Sequence, residues 1–337
     1  MKDLRNIVDT ILVPHTAFQE SQKRLEQCFE YADGAAEPIC LALVGESRTG
    51  KSRALEELTL RHPGRRLEDG LLTPVWRVRT PSKPTVKGFV DLLLIASHDP
   101  KSSVGTEQQK TARLIKLARE CGVKLLLVDE FQHFYDKVSH KVSHYAADWL
   151  KGFVDETRIA LVVAGLPSCL SVLHQNEQLA GRFLAPIVMP RFDWEQESHR
   201  AELLGILGAF QEALSQHFEL PSCNNGDMGF RFWCATGGLM GYLTKTLRQA
   251  IWNALDAETT VITLEDLALA HDQAVWAKNA PTDLPRPFAR AFSVQPSSEL
   301  IARIRQIGTK SVEDDSPKPR RSRKAKEINV SEVLAAH

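Results

Sequence analysis

The sequence predicts an α/β fold built on a parallel sheet, and three observations carry that expectation. From residue 37 to about residue 194, short apolar runs alternate with amphipathic helical patterns, as strands joined by crossover helices require. One run, residues 39–44, ends in Gly45-Glu46-Ser47-Arg48-Thr49-Gly50-Lys51-Ser52, which has the spacing G-x-x-x-x-G-K-[ST]. A second, residues 125–128, ends in Asp129-Glu130.

Along the chain, residues 1–36 read as an N-terminal helical arm. Leu25, Phe29 and Ala32 recur at helical spacing and Asp33-Gly34 closes the pattern. Within it, Ile11, Val13 and Pro14 form a small apolar cluster that either covers an adenine ring or docks the arm on the core. Residues 37–194 then supply five strands at 39–44, 75–78, 125–129, 159–164 and 187–189. Helices are expected at 52–61, 86–96, 107–121 and 143–156, and residues 99–105 break the pattern as a loop. Residues 195–280 show helical stripes only: Leu243, Leu247, Ile251 and Leu255, then Leu264, Leu267, Ala268 and Val275, which predict a small helical lid packed through those faces. Residues 281–337 are Pro-rich and then basic, with a helical stretch near 299–307. Lys318, Arg320, Arg321, Arg323, Lys324 and Lys326 follow the acidic Glu313-Asp314-Asp315, and such a segment buries too little apolar surface to fold. It reads as a largely disordered, flexible tail, either simply solvated or a tether ending in the apolar Val330, Val333 and Leu334.

The eight residues Gly45 to Ser52 form a phosphate loop. Glycines let backbone N–H groups wrap phosphates at a helix N-terminus, so Gly45, Glu46, Ser47, Arg48, Thr49, Gly50, Lys51 and Ser52 are the expected ATP-binding residues. Lys51 is placed to reach the β- and γ-phosphates, and the Ser52 hydroxyl to take one position on Mg²⁺, a cation that prefers oxygen ligands. The 125–129 run has the unbroken hydrophobicity of a central parallel strand, and ligands of open α/β sheets gather at strand carboxyl ends. Asp129 is therefore the candidate to hold Mg²⁺ through water, and Glu130 the candidate to polarise the attacking water.

Composition narrows the alternatives. The chain has 337 residues, 43% hydrophobic and 25% charged, and its 42 basic residues equal its 42 acidic ones, so any DNA binding has to be local. No run approaches the roughly 18 apolar residues of a membrane span and the start lacks a signal core, which predicts a cytoplasmic protein without a membrane partner. Cys28, Cys40, Cys121, Cys169, Cys223 and Cys234 are scattered without a C-x-x-C pair and read as buried reduced thiols. His140 and His144 stand four apart, but nothing completes a zinc site around them, and a solvated face is the expectation.

Taken in order, Gly45 to Ser52, Asp129-Glu130-Phe131-Gln132-His133, Ala164-Gly165-Leu166-Pro167, Leu179-Ala180-Gly181-Arg182-Phe183 and Thr236-Gly237-Gly238-Leu239-Met240-Gly241 resemble the AAA+ ATPases of the TniB/TnsC transposition-regulator family. The resemblance spans roughly residues 5–290. The first two motifs are common to P-loop NTPases, and the Gly-Leu-Pro and Gly-Gly-Leu runs point to this family. It implies an AAA+ fold with a five-stranded parallel sheet and a helical lid. It also implies ATP used as a switch, and a homo-oligomer, ring or helical filament, on double-stranded DNA of any sequence. The implied protein partners are a transposase and a target selector of the TniQ type. Arg182, before the fifth strand, takes the place of the arginine that reaches a neighbouring subunit's γ-phosphate, the alternative being an ordinary ion pair of Arg182 or Arg191. Contacts to the DNA backbone need Lys, Arg, Ser and Thr on inward loops, which makes Lys83, Thr85, Lys87, Lys101, Ser102, Ser103 and Lys110 candidates.

The sequence departs from the AAA+ pattern twice. After Gly237-Gly238 the lid reads Leu239-Met240-Gly241-Tyr242 without the usual arginine, leaving Lys245 or Arg248 to substitute, or packing alone. After the fourth strand Ala164-Gly165 offers no polar side chain to orient water, consistent with slow turnover. Competing readings are a helicase-loader or replication-initiator ATPase, a small-molecule P-loop kinase, and a nucleotide-switched scaffold that does not bind DNA.

Overall fold

The computed structural model describes residues 2–68, 70–82, 84–136, 141–142, 144–174, 177–275, 286–293 and 295–308. After a 3-10 turn, α1 (Ile7–Thr10) and α2 (Thr16–Glu30) lead to β1 (Cys40–Gly45) and α3 (Lys51–Arg61). A hairpin of β2 (Arg65–Leu67) and β3 (Gly70–Leu72) precedes β4 (Val75–Arg79), α4 (Val86–Ala96), α5 (Glu107–Glu120) and β5 (Leu125–Asp129). The short strands β6 (Tyr135–Asp136) and β7 (Lys141–Val142) come before α6 (His144–Thr157) and β8 (Ala160–Gly165). Next come α7 (Cys169–His174), α8 (Glu177–Ala180) and β9 (Ile187–Met189). The helical unit contains α9 (Glu197–Leu214), α10 (Gly226–Thr236), α11 (Met240–Asp256), α12 (Leu264–Ala274) and α13 (Ser298–Ile304).

β4, β5, β8, β1 and β9 pair in that order into one sheet, every pair parallel. Alternation of side chains across each strand divides its residues between two cores. Cys40, Ala42 and Val44 of β1, Leu126 and Val128 of β5, and Leu161 and Val163 of β8 pack with α4 to α8. Leu41 and Leu43, Leu125 and Leu127, and Ala160, Val162 and Ala164 pack with α2 and α3 on the other face. Burial on both faces explains why these strands read as continuous apolar runs. Helix starts follow local chemistry: Thr106 and Gln109 form a capping box on α5, Thr263 and Asp266 another on α12, and Thr85 caps α4.

The five strands and four crossover helices agree with the sequence expectations to within a residue or two. The β2–β3 hairpin was not anticipated, because Arg65, Arg66 and Leu67 are exposed and carry no alternation to read. Two boundaries differ. The helical core already includes Phe192 and Trp194, and on the far side it takes in Phe288, Phe292, Ile301, Ile304 and Ile307. The described residues 286–293 and 295–308 therefore pack with the lid, because these aromatic and aliphatic side chains complete a core that α9 to α12 leave open. The basic stretch 316–327 and the 330–334 apolar end lie outside the described residues. The arm is divided too: Leu4, Ile7, Val8, Ile11 and Val13 pack on the helical unit, whereas Phe18, Leu25 and Cys28 of α2 pack on the sheet. All six cysteines are buried and free, and no described helix is long and apolar enough to cross a membrane. His140 and the side chain of His144 lie outside the description.

Lys110 corrects a sequence expectation. Placed in the first turn of α5, it is 0% exposed and its ammonium bonds the Asp91 carboxylate of α4 at 2.5 Å, so it faces the core and not an anionic partner. Lys110→Ala would leave Asp91 without its counter-charge beside an apolar core. We expect it to lower unfolding stability by about 2–3 kcal/mol in urea titration, with any loss of DNA binding following the loss of fold.

Candidate nucleotide site

The parallel sheet brings the carboxyl ends of β1, β5 and β8 to one edge, and the phosphate loop crosses that edge. Gly45 ends β1 where a Cβ would stand 2.4 Å from the Met189 carbonyl oxygen of neighbouring β9, so no side chain fits. Gly50, at φ +100°, turns the chain into α3, and no side chain caps that helix. The first N–H groups of α3 are thus left for an anion. Lys51 is buried and donates from Nζ to the Gly45 and Glu46 carbonyls at 2.9 and 2.6 Å. Burial pulls its pKa down, opposed by the nearby Glu130 and Asp129 carboxylates. Thr49, also buried, ties the loop by donating to the Glu46 carbonyl at 2.9 Å.

The Ser52 hydroxyl donates to Asp129 Oδ2 at 2.7 Å, and the other carboxylate oxygen accepts the Glu130 N–H at 2.9 Å. Asp129 is 5% exposed. A hydroxyl and a carboxylate side by side at the mouth of a phosphate loop are the hard oxygen donors a divalent cation such as Mg²⁺ prefers, and Ser52 and Asp129 would hold it. Glu130 adopts φ +57°, a left-handed conformation costing a non-glycine residue on the order of 1 kcal/mol. Its Oε1 accepts from Arg79 at 3.3 Å, an ion pair with a 76% exposed arginine that is worth little by itself. Its Oε2 accepts from the Gln132 amide.

The lid meets the loop directly. The Gly241 N–H donates to the Arg48 carbonyl at 2.9 Å, and a Cβ on Gly241 would lie 2.8 Å from Arg48 Cβ. The Arg48 guanidinium sits 4.6 Å from the Tyr242 ring centre. Burial lowers the pKa of Lys245, helped by its cationic neighbours Arg48 and Arg248, while Arg248 itself pairs with Asp9 of α1. Of the two lysine and arginine substitutes considered for the lid, Lys245 is the one beside the phosphate loop's Arg48. Arg191, which sequence reasoning weighed only as a surface ion pair, is 10% exposed and grips Glu46 through two nitrogens at 3.2 and 2.5 Å. It also donates to the Gly237 and Ile307 carbonyls at 3.0 and 2.9 Å, so one side chain joins phosphate loop, lid turn and C-terminal segment. Its position two residues after β9 gave no motif to find it by.

The remaining expected residues have contacts of their own outside these hydrogen bonds. Val13 packs on the helical core and Pro14 is exposed, its carbonyl accepting from Gln19 at 3.1 Å. Arg182 is paired with Asp155 of α6 through both nitrogens, one at 3.1 Å. Lys83 lies outside the described residues. Thr85 and Lys87 are exposed at the start of α4, whereas Lys101, Ser102 and Ser103 lie beyond its other end, 11 residues and about 16 Å of helix away. That second loop is held by Arg113, which bonds Asp99 at 2.7 Å and the Lys101 and Val104 carbonyls.

A protein-family model described as "Bacterial TniB protein" matches residues 4–194, more than half of the chain. The chain belongs to the TniB family. No curated protein matches it by sequence. Its fold is the AAA+ fold of solved ORC and Cdc6 proteins. The ORC2 protein of Aeropyrum pernix, solved as ADPNP-ADP complexes, superposes with a TM-score of 0.57 at 14% identity, covering 81% of this chain and 72% of that one. Cdc6p of Pyrobaculum aerophilum gives 0.55 at 15% identity, covering 80% and 71%. ORC1 of A. pernix, solved with DNA, gives 0.56 at 16% identity, covering 80% and 69%. The TniB model ends at residue 194, so the lid is placed by fold likeness rather than by family match.

Gly241→Ala tests the loop–lid contact in this TniB-family protein. The added methyl pushes α11 off Arg48, and we expect fluorescent ATP-analogue affinity to fall roughly tenfold, about 1.4 kcal/mol, with the thermal midpoint nearly unchanged.

Proposed function

We propose that this TniB-family chain is an ATP-dependent DNA-binding regulator of transposition. It binds ATP with Mg²⁺ at residues 45–52 and Asp129, assembles as a ring or helical filament on duplex DNA of any sequence, and recruits or activates a transposase in the cytoplasm. A selector of the TniQ type chooses the target. The observation that carries this reading is the Ser52–Asp129 pair at the mouth of an uncapped, lysine-bearing phosphate loop, inside a TniB-family chain.

When bound, ATP supplies the anhydride bond and Mg²⁺ neutralises phosphate charge. Lys51 donates to phosphate oxygens in place of its own loop carbonyls, and Ser52 and Asp129 hold the cation. Glu130 accepts the proton of the attacking water. Arg48 of the loop and Lys245 of the lid bring positive charge to the phosphates, and the Gly241–Arg48 backbone bond holds the two elements together. Arg182 acts on a neighbouring subunit's nucleotide by exchanging Asp155 for phosphate, which makes assembly and hydrolysis compete with an internal ion pair and keeps turnover slow. Thr85 and Lys87, with Lys101, Ser102 and Ser103, contact DNA phosphates as two separate patches, and Lys83, outside the described residues, is a further candidate contact by sequence. Lys110 has no part in this.

The likeness to origin-recognition ATPases, one solved with DNA, favours a second reading as a replication initiator or helicase loader. Fluorescence anisotropy of labelled duplexes, with ADP, a slowly hydrolysed ATP analogue or no nucleotide, at two salt concentrations, separates the readings. Cooperative, salt-sensitive binding to any duplex with the ATP analogue alone supports the transposition regulator. Binding confined to one sequence supports the initiator, and nucleotide-driven assembly indifferent to duplex supports a protein scaffold. Lys51→Ala should lose nucleotide and DNA binding together, and Glu130→Gln should bind ATP, hydrolyse it poorly and stay on DNA longer. Retained ATP-dependent DNA binding in Lys51→Ala would sink the switch.

A further inference from the structure

The end of β8 offers the site no side chain. Gly165 closes the strand, Leu166 and Pro167 follow, and Ala164 is buried in the sheet. The space above Gly165 is nevertheless filled, because Gln132, from the 3-10 turn Phe131–Phe134 after β5, folds back across it. A Cβ built on Gly165 would stand 2.4 Å from Gln132 Oε1, so the glycine is the seat of that side chain. Gln132 is 7% exposed. Its Oε1 accepts the Leu166 N–H at 3.1 Å, and this bond orients the amide so that Nε2 faces Glu130 and donates to Oε2.

We propose that Gln132 is the positioning residue that aims Glu130, doing from the turn after β5 what no side chain at the end of β8 can do. The arrangement rests on the ATP-hydrolysing reading above. In that reaction an oxygen–phosphorus bond forms from water, the bridging bond to ADP breaks with its electron pair leaving on ADP, and Glu130 takes the water's proton. A carboxylate on a flexible stem serves as base only when held, and Glu130 is hydrogen-bonded by two groups of unequal quality, with His133 Nε2 a looser neighbour 3.9 Å from Oε2. Arg79, at the solvent-facing end of edge strand β4, is 76% exposed and screened by water, whereas Gln132 is buried and anchored at its far end to backbone. Gly165 is thereby part of the same device, since any larger residue there would displace Gln132.

The two bonds of Gln132 can be separated chemically. Q132A removes both. Q132E keeps an oxygen for the Leu166 N–H but replaces the donor to Glu130 with a second carboxylate. The experiment measures steady-state ATP hydrolysis with and without duplex DNA, fluorescent ATP-analogue affinity, and amide exchange of Leu166 in nucleotide-free protein. Both variants should lose roughly tenfold or more in kcat while nucleotide affinity and KM hold. Leu166 exchange should accelerate in Q132A and stay near wild type in Q132E. Gly165→Ala should lower kcat alone and add nothing to Q132A, because both changes remove the same contact. Full kcat in either Gln132 variant, a change confined to KM, unchanged Leu166 exchange in Q132A, or additive losses with Gly165→Ala would each overturn the assignment. A wild-type protein that binds the analogue but never hydrolyses ATP would overturn the ATPase reading itself, and this inference with it. If Q132A does not fold, Q132E and Gly165→Ala decide the question.

Discussion

The hydrogen bond from Ser52 to Asp129 joins the start of α3 to the end of β5 across 77 residues of chain, and the candidate site depends on it. It forms only because β1 and β5 run parallel on either side of β8, so that their carboxyl ends reach the same edge. Parallel order in turn requires both sheet faces to be covered, which the α2–α3 layer and the α4–α8 layer do. A hydrophobic constraint far from the chemistry thus sets the distance between two polar atoms.

Around that pair the molecule is fastened by polar contacts between units that the apolar cores keep separate. Arg191 ties Glu46 of the loop to the lid turn and to Ile307, and Arg48 and Gly241 share a backbone bond. Such contacts are weaker per residue than core burial and are remade more easily. They suit a joint whose two sides respond to what the phosphate loop holds.

The charged residues divide along the same lines. Lys110 and Arg113, both on α5, look alike in sequence, yet one is sealed against Asp91 and the other braces a surface loop. The Lys101 to Ser103 segment is presented because Arg113 holds its backbone, so the exposed residues depend on one that is not itself a candidate contact. Arg182 is half of an internal pair with Asp155, a partner it has to give up before it can meet any other anion.

From the residues alone the parallel sheet, the phosphate loop and its two carboxylates were legible, because buried strands must be continuously apolar and a phosphate cradle needs glycine and lysine at set spacing. The lid's helices were legible from their stripes, though not their completion by residues 286–293 and 295–308, which carry scattered aromatics without a period. Tertiary structure alone decided the contacts of Gln132, Arg191, Arg48 and Lys110. Each depends on which backbone or carboxylate a long side chain meets from another element, and periodicity records only which face a residue occupies, not what stands opposite it. The glycine at 165 marks the difference: in sequence it is a missing polar group, and in the fold it is the room that Gln132 needs.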